Sequence, residues 1–69
     1  MIIYKDILQQ LKAAGYNTNK IRKEKILSEG TLQRIRDGRP ITTESVDIIC
    51  QLLQCQPGDI MEYRPVKMT

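Results

Sequence analysis

Residues 17–38 read NTNKIRKEKILSEGTLQRIRDG, and the fold turns on this stretch. Asn17 and Thr18 offer side-chain oxygens to the free amides of a helix start, which predicts a short helix over 19–24 with Ile21 as its one inward residue. Ile26 and Leu27 form an apolar pair that ends at Ser28, a good N-cap. Leu32 and Ile35 then stand three apart and face inward until Asp37 and Gly38 stop the pattern, so a further helix is predicted over 29–36.

Upstream, Ile3, Ile7, Leu11 and Ala14 recur at helical spacing with Leu8 beside them, while Lys5, Asp6, Gln9, Gln10 and Lys12 lie opposite. This predicts a first helix over 4–14, stopped by Gly15. Downstream, Gly38, Arg39 and Pro40 break the chain and Thr42 or Thr43 caps a helix over 43–54, whose inward stripe is Val46, Ile49, Cys50 and Leu53. Pro57 is suited to open a final short turn, because its missing amide is harmless at a first helical position, with Gly58 and Asp59 leading to Ile60 and Met61. Residues 62–66 read as extended or disordered. Only 1–4 and 63–66 are strand-like, and Pro65 confines the latter to a sheet edge.

The 69 residues fit one domain over 1–69, of a size that buries only about 60% of its unfolded surface, and the only aromatics are three Tyr, so the core must be aliphatic. Without a single His, imidazole catalysis and ligation are excluded, and Cys50 and Cys55 are too few and wrongly spaced for a structural zinc. No metal or other cofactor is implied. Residues i and i+5 of one helix diverge, so a disulfide between these cysteines requires the helix to end between them; two reduced thiols are the expectation. The longest apolar run, 1–4, is far short of the roughly 20 residues of a membrane span and no signal peptide opens the chain, which points to a soluble, cytoplasmic protein. An enzyme is not expected: a metal-dependent nuclease would need Glu29, Asp37 and Asp59 to converge, and their spacing gives no reason to expect it.

Charge is concentrated. Residues 20–39 hold seven cations (Lys20, Arg22, Lys23, Lys25, Arg34, Arg36, Arg39) against three anions, a balance of +4, while the remaining chain sums to −1. On charge alone, solubilisation of short helices explains this as well as a polyanion partner does. The geometry tips the balance, because two short helices joined by a tight turn, with few inward residues and a polar outer face, describe a helix-turn-helix over about 18–37. Its second helix would enter a DNA major groove, with Leu32 and Ile35 inward and Glu29, Gly30, Gln33 and Arg34 turned away. Arg34 suits guanine, Gln33 adenine and Glu29 the amino group of cytosine.

Residues 17–38 resemble the helix-turn-helix of the Cro and phage-repressor type, the XRE family, and the continuation TTESVDIICQLLQCQPGDIMEY over 42–63 is similar to its small single-domain bacterial regulators. The resemblance covers nearly the whole chain. It implies an all-α, lambda-repressor-like five-helix domain with a short tail over about 62–69, sequence-specific binding of double-stranded DNA, transcription regulation such as repression, and no catalysis. By position it places base reading on Glu29, Gly30, Gln33 and Arg34. Phosphate contacts fall on Thr18, Asn19, Lys20, Lys23, Ser28, Arg36 and Arg39, with Tyr16 close by.

Two positions depart from the family pattern: Arg22 replaces a small alanine between the helices, and Ile26 replaces a turn glycine. A β-branched residue disfavours positive φ, so the turn is expected to take another backbone route with Ile26 as apolar cover. One module reads few base pairs, which argues for a homodimer, formed through the last two helical segments or by edge pairing of 1–4. The alternative function is a protein-interaction module, an antitoxin or adaptor on the same fold.

Overall fold

A computed structural model describes residues 1–65 of the chain. The order is β1 (Ile2–Tyr4), α1 (Ile7–Ala13), α2 (Thr18–Lys23), α3 (Glu29–Asp37), α4 (Thr43–Leu53), a 3-10 turn (Pro57–Asp59) and β2 (Met61–Tyr63). The fold is mainly helical, with two departures from the all-α, five-helix expectation. A single 3-10 turn stands where the fifth helix was expected, and the two ends of the domain form an antiparallel ribbon. Expectations for 66–69, including the rest of the tail, lie outside the described residues.

The ribbon also corrects the first helix, which begins at Ile7 rather than at residue 4. Ile2 pairs with Tyr63, Ile3 with Glu62 and Tyr4 with Met61. The Lys5 amide donates to the Ile60 carbonyl at 2.8 Å, and the Gln10 side chain donates to the carbonyls of Lys5 and Asp59 at 2.6 and 3.1 Å. These long-range bonds outweigh continuation of the helix, and the chain turns into α1 through Asp6 at φ 48°. Ile3 and Ala14 therefore leave the expected stripe: Ile3 is half-buried in the ribbon and Ala14 is exposed.

Among the described residues the buried core is wholly aliphatic: Ile7, Leu11, Ile21, Leu27, Leu32, Ile35, Ile49 and Ile60. α1 packs against both α3 and α4. Of the expected α4 stripe only Ile49 is fully buried; Val46, Cys50 and Leu53 are half-buried against the core. The Asp59 carboxylate accepts from the Gln56 amide at 2.9 Å, holding the 3-10 turn that sends Ile60 inward. Two-stranded ribbons are marginal alone, so this one relies on the packing of Tyr4 and Met61 against the core.

All four helices end in one manner. A residue in the left-handed region follows each: Gly15 at φ 95°, Lys25 at 54°, Gly38 at 71° and Gln54 at 51°. The next amide then donates back five residues, Tyr16 to Leu11 at 2.8 Å, Ile26 to Ile21 at 3.0 Å, Arg39 to Arg34 at 2.8 Å and Cys55 to Cys50 at 3.1 Å. At the first three ends the left-handed residue also donates back three residues, completing the Schellman motif, whereas at α4 Gln54 donates to Cys50; in each case the last free carbonyls are satisfied and the backbones of the two bonded residues are drawn together. Three of the four pairs join residues packed on the core. The fourth pair, Arg34 and Arg39, is exposed and doubly positive.

Candidate nucleic-acid interface

α3 is built to show one face. Ser28 accepts from the Thr31 amide at 3.1 Å and its hydroxyl lies 2.9 Å from that of Thr31, so the cap starts the helix and draws Thr31 inward. Thr31, Leu32 and Ile35 are buried, and Glu29, Gly30, Gln33, Arg34, Arg36 and Asp37 are exposed. The helix runs one residue beyond the expected 29–36, to Asp37, and Thr31 joins the two expected anchors. Its burial was hidden in the sequence because a threonine two residues inside a helix reads as polar surface.

α2 starts one residue earlier than expected, at Thr18, with Asn17 as the N-cap whose oxygen accepts from the Lys20 amide at 2.8 Å. Thr18 and Asn19 line a shallow hollow with Leu8, Gln9, Lys12 and Asn17. Lys12 is thus a cation beside these two residues that the linear sequence placed only on the outer face of α1. Lys20 lies 5.0 Å from the Tyr16 ring centroid, a cation–π contact, and 4.0 Å from the Glu24 carboxylate.

The turn between α2 and α3 takes another backbone route, as the β-branched Ile26 requires. Positive φ falls on Lys25, and Ile26 becomes the residue beside Ile21, half-buried on the core. Arg22 does not sit in a slot between helices. It is exposed and its guanidinium forms an ion pair with Glu29 at the head of α3. Gln33 donates to both carboxylate oxygens of Asp37 at 3.2 Å.

The side chains of the basic window therefore divide. Lys20 and Arg22 are committed to acidic partners, whereas Lys23, Lys25, Arg34, Arg36 and Arg39 have no ion-pair partner among the described residues. Arg34 and Arg39 are placed together by the α3 Schellman motif, and the Arg39 carbonyl accepts from the Tyr4 hydroxyl at 2.5 Å. Two exposed arginines held at neighbouring backbone positions add to the positive potential at this end of α3, which favours an anion there.

No helix among the described residues is long and apolar enough to cross a membrane. Comparison with curated proteins and with solved structures finds no match. The family model of the Cro/C1-type HTH DNA-binding domain, by contrast, matches residues 6–65, from the entry to α1 to the end of the ribbon. With an exposed, cation-flanked third helix held by a capped turn, the chain belongs to the Cro/C1-type helix-turn-helix DNA-binding family.

Proposed function

We propose that the chain is a sequence-specific regulator of transcription that lays the exposed face of α3 in the major groove of double-stranded DNA. The observation that carries this is the separation of α3 into Thr31, Leu32 and Ile35 inside and Glu29, Gly30, Gln33 and Arg34 outside. Arg34 reads a base edge or, with Arg39, a phosphate. Gln33, with its amide donors on Asp37, presents its carbonyl oxygen, and Glu29, oriented by Arg22, presents an acceptor. Thr18, Asn19, Lys20, Lys23, Ser28, Arg36 and Arg39 flank this helix as the phosphate-contacting set, and Lys12 extends it along α1.

A homodimer on half-sites one helical turn apart supplies the specificity that one module lacks. Selection of bound sequences from a random duplex pool, followed by titration at several salt concentrations, tests the reading. If about five phosphates are neutralised, log K falls by roughly 4.5 per decade of salt. A slope near zero, or no enriched sequence, would refute it and leave the protein-interaction role, as an antitoxin or adaptor, in its place.

A further inference from the structure

We propose that Cys50 and Cys55 form a thiol pair that closes to an intramolecular disulfide with a hydroperoxide as oxidant and reopens with a small thiol. A continuous helix would hold residues five apart on diverging faces. Here the helix ends between them. Gln54 takes φ 51° and ψ 52°, and the amides of Gln54 and Cys55 both donate to the Cys50 carbonyl, the latter at 3.1 Å. The backbone bond from Cys55 to Cys50 brings the two residues within the separation that a disulfide spans, which an unbroken helix would not. Both cysteines are free, half-buried and packed against the same core.

Burial pushes the Cys50 thiol above its ordinary value, and the adjoining Cys55 raises it further, by its charge and by a hydrogen bond between the side chains, with Asp47 and Asp59 adding to this. We place the first step at Cys55, because it lies beyond the helix end. The Cys55 sulfur attacks the peroxide and gives up its proton, breaking the O–O bond to form a sulfenic acid and releasing water. The Cys50 sulfur then attacks the Cys55 sulfur, gives up its proton and displaces a second water. Two thiols and one hydrogen peroxide become one disulfide and two waters. The product ties the end of α4 to the segment leading into the 3-10 turn. Cys50 lies on α4 and Cys55 just beyond its end, and neither belongs to the exposed face of α3, so this inference does not rest on DNA binding.

The test treats the whole chain with stoichiometric hydrogen peroxide and follows free thiols and intact mass. The expected product is monomeric, has lost two hydrogens, contains no free thiol and returns to the dithiol with dithiothreitol. Cys50→Ser is expected to stop at a Cys55 sulfenic acid that a dimedone probe captures. Cys55→Ser is expected to react far more slowly. Accumulation of sulfinic acid in the unaltered chain, disulfide-linked dimers as the main product, or thiols that survive peroxide would each overturn the proposal. Urea unfolding of the oxidised chain gives a second readout: its midpoint rises, because the closed link restricts the unfolded chain. A lower midpoint would show strain in the native state and overturn it equally.

Discussion

The hydroxyl of Tyr4 donates to the carbonyl of Arg39, joining β1 to the loop after α3 across 35 residues. Tyr4 is half-buried, so this bond ties the ribbon to the loop that follows α3. Tyr4→Phe removes it without creating a cavity. The expected loss is about 0.5–1.5 kcal/mol in urea unfolding, with a weakened grip on DNA because Arg39 is freed to move. Unchanged stability and affinity would show the bond to be incidental.

Gly30 has no steric need to be glycine inside the protein: an added Cβ would meet only the Ser28 hydroxyl, at 3.9 Å. Gly30→Ala should therefore stabilise the free chain by about 0.5–1 kcal/mol. If α3 approaches DNA closely at this point, the same substitution lowers specific affinity. Equal affinity of both forms would assign Gly30 to the helix start alone.

Arg34→Ala is expected to weaken specific binding by about 1–3 kcal/mol if the residue reads a base. Lys23→Ala, which removes a cation with no ion-pair partner among the described residues, should weaken specific and random duplexes alike. Competition titrations on the two duplexes separate the cases. Parallel losses for Arg34→Ala would move that residue to the phosphate-contacting set with Arg39.

Lys25 and Gln54 occupy the left-handed region at helix ends where glycine is better suited. Replacing each by glycine relieves about 1 kcal/mol of backbone strain, partly offset by the greater freedom of glycine in the unfolded chain. A modest rise in urea midpoint is expected for both, with DNA affinity reduced only for Lys25→Gly. A fall in midpoint would mean that the lysine and glutamine side chains contribute more than the strain costs.

Burial is the main reason that Tyr4 and Cys50 resist ionisation, holding their pKa values above the ordinary 10.0 and 9.0. Well below pH 9 both groups are protonated in folded and unfolded chains, so their contribution is intact. As pH rises further the unfolded chain loses these protons first, and stability falls until the folded-state values are passed. Urea unfolding from pH 7 to 11 should show this decline, and the pair Tyr4→Phe with Cys50→Ser should flatten it. A decline of the same size in the double variant would place its origin in other groups.

Local signals made most of the helical framework legible. Ser28, Thr42 and Asn17 announce helix starts because a side-chain oxygen three residues before an amide needs no distant partner. Gly15 and Gly38 announce helix ends for a similar reason, since positive φ is a property of one residue. The outward set Glu29, Gly30, Gln33 and Arg34 follows from the spacing of Leu32 and Ile35.

Tertiary structure alone decided the rest. Residues 1–4 read as strand-like and residue 4 as the start of the first helix, but no local pattern names 61–63, some sixty positions away, as the partner of 2–4. Only the folded chain joins Arg22 to Glu29, brings Lys12 beside Thr18 and shows that the positive φ of the turn falls on Lys25. Short-range geometry can be read residue by residue, because its partners lie within one helical turn. Side-chain pairing and strand pairing depend on where separate elements come to rest, and that is set by the packing of one small aliphatic core.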